Sequence, residues 1–240
     1  MTRLFASDLH LDPARPEVTE QFLGLLRNLE GESASLFLLG DLFEAWLGDD
    51  LPGALGETVA LALRQLADTG TAIYLMQGNR DVMLGQSFCQ AVGALLLEDP
   101  CLLEIHGSRV LLTHGDALCT DDRAYQRLRA LLRDPDVRRN LLSLPEGQRR
   151  ALAGEARAGS RAHQSRLSYE VMDVNPAAVE QVLRDADADV LLHGHTHRPG
   201  VHRLTVDGRE RTRIVLGDWH SGSSVLRWDQ QGYRLLEQPR

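Results

Sequence analysis

The chain has 240 residues, a formal net charge of -8 and 43% hydrophobic residues, which predicts a packed core and excludes wholesale disorder. The negative charge argues against nucleic acid as a partner, because binding a long phosphate backbone requires a basic face. All 26 basic residues are arginine, which excludes any mechanism that needs a lysine.

The first predicted element is a buried strand at residues 4–6, and the sequence before it has none of the regions of a signal peptide. Asp8 and His10 follow this strand. On an extended chain their side chains share one side, so a carboxylate and an imidazole could bind one ion. Apolar residues then recur with helical spacing from Val18 to Leu29, which predicts an amphipathic helix that covers the sheet.

The next buried strand is predicted at residues 36–39, and Asp41 comes directly after it. Strand, helix and strand in this order indicate a parallel βαβ unit, which would place Asp41 at the same edge of the sheet as Asp8. Phe43 and Trp46 lie beyond Asp41 and have two interpretations, as core residues or as the wall of a substrate site.

A second helix, ending near Gly70, leads to a predicted strand at residues 72–76. Asn79 follows this strand with Arg80 beside it, and its amide oxygen is a candidate ligand. Further apolar runs predict strands at residues 95–97, 101–105 and 109–113. His114 follows the last of them as another candidate ligand.

Between Asp116 and His193 the sequence becomes rich in Arg and Ala, with helical spacing of leucines. This segment has two interpretations. One is an ordinary helical layer. The other is a cap over the site, with an apolar groove for a greasy substrate and arginines for an anionic head group. We expect a single domain over residues 1–240, with a helical cap inserted at about 118–172.

A strand at residues 189–192 precedes the His-rich stretch that contains His195 and His197. In an extended loop, residues two apart point the same way, so both imidazoles could address one metal ion. Strands are also predicted near the C-terminus, with Asp207-Gly208 as a hairpin turn, at residues 201–206, 211–216 and 224–228.

Cysteines and hydropathy indicate the class of protein. Cys89, Cys101 and Cys119 lack C-x-x-C spacing, so neither a disulfide framework nor a zinc knuckle is predicted and a reducing compartment fits best. No apolar run approaches the ~18 residues of a membrane span. We therefore expect a chain that is soluble or at most peripheral to a membrane.

Polar residues that follow predicted strands form one candidate metal site. Seven mixed N and O ligands are too many for one ion, but two ions ~3.5–4 Å apart that share a carboxylate would use them all. A set with imidazoles, carboxylates and an amide but no thiolate suits Mn²⁺, with Fe or Zn as alternatives and Ca²⁺ disfavoured. The seven residues are Asp8, His10, Asp41, Asn79, His114, His195 and His197.

These residues stand in five ordered blocks that resemble the calcineurin-like metallophosphoesterases. The resemblance implies an α/β fold, a sandwich of two β-sheets flanked by helices, with a dinuclear site. By this resemblance Asp41 bridges the two ions. One ion takes Asp8, His10 and His197, and the other takes Asn79, His114 and His195.

Further residues resemble one branch of that superfamily. Arg80 stands where most members have His, and segments 43–50, 118–122 and 217–219 are similar to the UDP-2,3-diacylglucosamine diphosphatases of lipid A synthesis. The resemblance implies Mn²⁺-dependent attack of water on the α-phosphorus, giving UMP and 2,3-diacylglucosamine 1-phosphate. It also implies peripheral association with the cytoplasmic face of a bacterial inner membrane, and acyl chains held by the cap.

The same resemblance assigns roles to individual residues. Arg80 would stabilise charge on the phosphoryl group, together with Asp41, His114 and Asn79 in the catalytic centre. The family commonly has a basic residue at position 167, where this chain has Leu167, so that position carries no charge role. The implied substrate contacts are Asn79, Arg80, Asp122, Ser160, Gln164, Leu167 and His195.

Two alternatives remain at this point. A soluble nucleotide or phosphomonoester phosphoesterase would use the same metals, and a polar rather than apolar cap groove would favour it. A binding scaffold without catalysis is disfavoured because all seven ligand types are present. No motif indicates a protein partner, and we expect a monomer.

Overall fold

The structure is a computed structural model that describes residues 2–29, 34–164, 171–220 and 222–239. Apolar runs form the strands and amphipathic stretches form the helices. The strands are β1 (Thr2–Ala6), β2 (Ala34–Leu39), β3 (Ala72–Met76), β4 (Ala94–Leu96), β5 (Cys101–Ile105), β6 (Ser108–Leu112), β7 (Val190–His193), β8 (Gly200–Val206), β9 (Arg209–Val215), β10 (Gly222–Asp229) and β11 (Gly232–Pro239). The helices are α1 (Pro16–Leu29), α2 (Gly53–Asp68), α3 (Gln86–Val92), α4 (Arg123–Arg133), α5 (Pro135–Leu142), α6 (Glu146–Gln164) and α7 (Pro176–Asp185).

The strands form two mixed sheets. The first has the order β11-β10-β1-β2-β3-β4, and its strands β1 to β4 are parallel. The second has the order β5-β6-β7-β9-β8, in which β6, β7 and β9 are parallel. The predicted parallel pairing of β1 with β2 is confirmed, and it brings the carboxyl ends of β1, β2 and β3 to one edge.

Successive side chains of each strand point to opposite faces of the sheet, and this divides the core into layers. Phe5 of β1 packs with Phe37 and residues of the second sheet, including Leu192, whereas its neighbours Leu4 and Ala6 face the layer of α1 and α2. A third cluster places α7 against the outer face of the second sheet. The predicted sandwich of two sheets flanked by helices is therefore confirmed.

Two elements were not predicted from the sequence. Helix α3 has only seven residues, too few for a helical period to be recognised. Strand β11 mixes charged and apolar residues, which obscures it, yet it pairs along its whole length with β10. Phe43 and Trp46 are both buried in the core, and Trp46 also lines a cavity, so both interpretations apply to Trp46.

Helices α4, α5 and α6 follow β6 and lie within residues 118–172. None of the three has a fully buried residue among those whose side chains are described, in contrast to α1 and α2. Arg149 of α6 connects this segment to the rest of the molecule, because its guanidinium donates to Asp50 at 2.7 and 2.8 Å and to the Leu47 carbonyl oxygen. Among the described residues, no helix is both long and apolar enough to cross a membrane.

Candidate metal centre

All seven predicted ligands follow strands of the two sheets at their carboxyl ends. Asp8 and His10 follow β1, Asp41 follows β2 and Asn79 follows β3. In the second sheet, His114 follows β6, and the loop after β7 carries the remaining two histidines, His195 and His197. Because carboxyl ends of parallel strands meet at one edge, the fold alone gathers residues from positions 8 to 197.

His10 and His197 face each other through ring nitrogens. Their Nε2 atoms lie 3.2 Å apart, while Nδ1 of His10 lies 3.0 Å from Glu44 Oε2 and Nδ1 of His197 lies 3.8 Å from Asp218 Oδ2. Glu44 is close enough to His10 Nδ1 to favour a proton there, whereas Asp218 is too far from His197 Nδ1 for a hydrogen bond. His10 Nε2 then presents a lone pair towards His197 Nε2, and a proton on His197 or a cation between the two nitrogens would satisfy it.

His114 repeats this arrangement. Its Nδ1 lies 2.9 Å from the Leu39 carbonyl oxygen, so Nε2 is the acceptor in the neutral ring, yet it faces Asn79 Oδ1 at 3.1 Å and Asp41 Oδ2 at 3.7 Å. Burial by itself lowers the pKa of His114, but the charges of Asp41 and Asp8 outweigh burial and raise it to about 9. The site is thus negative enough to demand a positive charge.

Asp41 lies between the two predicted ligand sets. Its Oδ2 atom is 3.7 Å from His10 Nε2 and also 3.7 Å from His114 Nε2, one histidine of each set. Its other oxygen, Oδ1, accepts from the Arg80 backbone N–H at 2.7 Å. Oδ1 is therefore anchored, and Oδ2 faces a histidine of each predicted ligand set. This suits the bridging role, which stays a prediction.

Asp8 provides a test of whether these residues fit metal ions. It is fully buried, and its Oδ1 has no hydrogen bond although His197 Nε2 is 3.3 Å away, while Oδ2 accepts from Ser7 and from the His195 backbone N–H. Burial raises its pKa, but His197, His114 and His10 together outweigh burial and hold the pKa far below the usual range. A buried, ionised carboxylate with an unpaired oxygen among imidazoles fits a divalent cation.

The backbone at the ligands is left-handed. Asp8, His10, Asp41, His195 and His197 all have φ between 49° and 65°, a region that non-glycine residues rarely occupy. The predicted extended conformation after β1 and in the 195–197 loop is therefore wrong. The side chains converge because the backbone turns sharply at each ligand, and such strain concentrates at functional sites.

The loop with His195 also packs against α4. The His195 ring stacks against Tyr125 with centroids 5.9 Å apart and meets His114 edge to face with centroids 5.1 Å apart. Tyr125 donates its hydroxyl to buried Asp116 at 2.8 Å, and Arg129 Nε lies 2.9 Å from the same carboxylate oxygen. Helix α4 is thereby held directly beside the metal-site histidines.

Two acidic residues support the site and were missed from the sequence. Glu44 lies 3.0 Å from His10 and 4.0 Å from the Arg80 guanidinium. Burial raises its pKa, but His10 and Arg80 lower it overall to about 2. Asp81 is fully buried and accepts from the backbone N–H groups of Gly78, Asp41, Leu42 and Phe43. No local pattern identifies such partners, because only the fold brings them together.

The predicted substrate contacts fall in several places. Asn79, Arg80 and Ser160 line one cavity, and His195 lies in the metal centre. Asp122 is the N-cap of α4 and lies 2.8 Å from His163 Nε2. The side chain of Gln164 and the whole of Leu167 lie outside the described residues.

The cavity has a volume of about 530 Å³ and extends from the metal centre under α4, α5 and α6. Near the metal centre its lining includes Asn79, Arg80 and Asp116. Further away the lining is mostly apolar and comes from the three helices and from Trp46. The aliphatic residues that these helices contribute include Leu128, Leu132, Leu141, Leu142, Leu152, Ala153 and Ala156.

Comparisons with known proteins agree with this geometry. The family described as calcineurin-like phosphoesterase matches residues 1–199. UDP-2,3-diacylglucosamine hydrolases of Stenotrophomonas maltophilia and Xanthomonas axonopodis pv. citri are each 48% identical to this chain over 98% of both sequences. A solved archaeal phosphodiesterase, with 13% identity and 99% coverage of both chains, has a TM-score of 0.50 and shares the fold.

The family match covers most of the chain, and the two relatives match nearly its full length. Both agree with the resemblance that the ordered sequence blocks carried. The structure adds that Asp8 lies within ligand distance of His10 and His197 on one side and of Asp41 and His114 on the other, as a metal site requires. The chain belongs to the calcineurin-like phosphoesterases, in the family that includes the UDP-2,3-diacylglucosamine hydrolases.

Proposed function

We propose that this enzyme hydrolyses the pyrophosphate bond of UDP-2,3-diacylglucosamine. Water attacks the α-phosphorus, and the products are UMP and 2,3-diacylglucosamine 1-phosphate. The reaction depends on two Mn²⁺ ions per chain, held by the seven residues of the metal centre. The names of the relatives support the substrate class, and the mixed imidazole, carboxylate and amide donors support Mn²⁺.

The observation that carries the substrate assignment is the apolar cavity beside the metal centre. A free nucleotide or a phosphomonoester has no apolar group for a cavity whose lining is mostly aliphatic, although Arg129, Arg133, Arg149 and Arg157 also line it and could contact an anionic group. Burying apolar surface contributes ~0.8 kcal/mol per CH₂ group, so a long acyl chain would contribute strongly there. The alternative of a soluble nucleotide phosphoesterase predicts a polar groove, whereas the lining from the described residues of α4 to α6 is mostly aliphatic with arginines among it.

The residues around the cavity divide into two functional groups. Helices α4 to α6 act as a cap, inserted at about 118–172, that holds the acyl chains and excludes water. Arg80 lies where the cavity meets the metal centre, and Asn79, His195, Ser160 and Asp122 complete the polar contacts. Gln164 and Leu167 are proposed contacts from the resemblance alone.

In the reaction these residues bind and orient the diphosphate. Two divalent cations, when bound, supply Lewis acidity and a nucleophilic water at neutral pH. Arg80 donates hydrogen bonds to the phosphoryl oxygens without acting as a base, because a guanidinium keeps its proton. Asp41 keeps both ligand sets together, and its Oδ1 is fixed by the Arg80 backbone N–H.

Charge and exposure support peripheral association with the cytoplasmic face of the bacterial inner membrane. Residues 118–172 contain eleven arginines and seven acidic residues, although the whole chain carries -8. Leu128 and Leu131 of α4 and Leu152 of α6 are each more than 40% exposed. A basic surface with exposed leucines favours an anionic lipid interface. We propose that the enzyme acts there as a monomer.

The test compares hydrolysis of UDP-2,3-diacylglucosamine with that of bis-p-nitrophenyl phosphate and free UDP-sugars, with Mn²⁺ and with chelator, in ¹⁸O-labelled water. A strong Mn²⁺-dependent preference for the lipid, with the label in UMP, is expected. Comparable rates on the soluble substrates would reject the lipid assignment. Label in the sugar phosphate would reject attack at the α-phosphorus.

A pair of variants tests the cavity itself. Leu152→Asp places a charge in the cavity lining, whereas Leu102→Asp makes the same change on β5, and the two leucines are 43% and 40% exposed. Half of a buried leucine contact is worth about 1 kcal/mol, and the carboxylate adds desolvation, so kcat/KM for the lipid should fall roughly tenfold or more in Leu152→Asp only. Equal losses in both variants would contradict the assignment.

A further inference from the structure

The loop that carries His195 and His197 is supported from behind by a buried histidine. His193, the last residue of β7, is fully buried. Its Nε2 accepts from Arg213 Nε at 2.9 Å, and since a guanidinium keeps its proton, Nδ1 must carry the hydrogen of the neutral ring. That Nδ1–H donates to the Gly194 carbonyl oxygen at 2.8 Å, which also accepts from the Thr196 backbone N–H.

These contacts fix the turn that presents both histidines. The hydrogen bond from the Thr196 backbone N–H to the Gly194 carbonyl oxygen closes a tight turn centred on His195, whose φ is 65°. Gly194 packs closely against the end of β1, because a Cβ there would collide with the Asp8 carboxylate and with Ser7, so only glycine fits. The orientation of His193 therefore sets the path of the backbone into the metal centre.

Asp173 joins this support to the far end of the loop. Its Oδ1 accepts from Arg213 Nη2 at 3.2 Å, and its Oδ2 accepts from Arg198 Nη1 at 2.6 Å. Arg198 directly follows His197, so one carboxylate connects both ends of the loop from residue 193 to residue 198. Asp173 itself is 30% exposed, Arg198 is 20% exposed and Arg213 is 15% exposed. Water therefore screens the two ion pairs of Asp173 only in part.

Asp173 also marks the place where the chain leaves the helical segment. The Asn175 backbone N–H donates to the Leu118 carbonyl oxygen at 2.8 Å, which fixes the return of the chain beside its point of departure. Asp173 lies two residues before this contact. The carboxylate that contacts the histidine loop therefore sits on a segment whose backbone is fixed at the base of the helices.

We infer that Asp173 is a positioning residue for the metal centre: through Arg213 and Arg198 it holds the loop that presents His195 and His197. This inference rests on the proposed metal centre. Asp173 touches neither the cavity nor any of the seven predicted ligands. It acts by fixing the geometry of two histidines, one in each predicted ligand set. Direct partners of metal ligands are worth roughly 10- to 100-fold in metal affinity, so a carboxylate one contact further out should be worth up to about 10-fold.

The test measures binding of Mn²⁺ alone to the folded protein by electron paramagnetic resonance titration. Asp173→Asn is nearly isosteric and removes the charge that both arginines need, so the Kd for Mn²⁺ should rise severalfold, up to about tenfold. Saturating Mn²⁺ should restore kcat, because the residue takes no part in the chemistry. Asp207→Asn is the control, since it removes the exposed Arg184 ion pair at the β8–β9 turn and should leave Mn²⁺ affinity unchanged.

A second variant separates positioning from folding. Arg213→Lys keeps the charge but cannot contact Asp173 and His193 together, so it should weaken Mn²⁺ binding as Asp173→Asn does. The double variant should bind Mn²⁺ no more weakly than whichever single variant has the higher Kd. If the melting temperature falls while Mn²⁺ affinity stays unchanged, Asp173 is only structural and the inference is overturned. If the wild-type protein binds no Mn²⁺, the proposed metal centre fails first and the inference falls with it.

Discussion

Replacement of Arg80 by alanine separates catalysis from metal binding. The Arg80 backbone N–H holds Asp41 Oδ1 at 2.7 Å, and alanine keeps this hydrogen bond. The guanidinium lies 4.0 Å from Glu44, and Glu44 still contacts His10 at 3.0 Å without it. The variant should therefore keep both predicted ligand sets in place while losing the contact with the phosphoryl group that we propose for the guanidinium.

The magnitude follows from the role. Removing one charged donor that acts on the transition state costs ~2.7–4 kcal/mol, so kcat should fall roughly 100- to 1,000-fold. Arg80→Lys keeps the charge but loses the planar fork, and its loss should be smaller. The assay measures kcat at saturating Mn²⁺ and, separately, Mn²⁺ affinity by titration. If affinity falls in parallel with kcat in Arg80→Ala, the side chain supports the metal centre and the catalytic role is wrong.

Three further predictions test other groups. Asp41→Ala removes the oxygen that lies 3.7 Å from a histidine of each set, so metal analysis should find fewer than two Mn²⁺ per chain; two would contradict bridging. Glu44→Gln should raise the Kd for Mn²⁺ about 10-fold or more, because His10 loses its charged partner; unchanged titrations would remove that role. Burial raises the pKa of Cys89 and Cys119 to about 12, so at pH 8 both stay protonated and Ellman's reagent should reach only Cys101 before denaturation.

Much of the fold is predictable from the sequence, because strand and helix periods are local. The runs around Leu38, Leu75 and Leu192 are continuously apolar, as expected for strands buried on both faces, and each is a strand. The candidate ligands follow the carboxyl ends of these strands, so they lie near one another even when the conformation of each loop is unknown. This is why seven residues spread over 190 positions could be assigned to one site before any geometry was known.

The support of the site is not predictable in the same way. Asp81 accepts four backbone N–H groups from two segments, and Asp173 joins two arginines that are 15 residues apart. Neither residue has a sequence spacing that differs from an ordinary turn. Their partners are set by how the sheets pack, and the left-handed backbone at His195 and His197 likewise results from tertiary contacts rather than local preference.

Local sequence preference and tertiary contacts both act on the backbone of the candidate metal centre. Each left-handed ligand residue costs roughly 1–3 kcal/mol relative to a relaxed conformation, and five of them occur within one cluster. Such a cluster persists only where the surroundings over-determine it. Asp81 anchors the turn around Asp41, and the Gly194 carbonyl anchors the turn around His195. The ligands are therefore held in place by protein hydrogen bonds, and a cation would add the charge that their facing acceptors require.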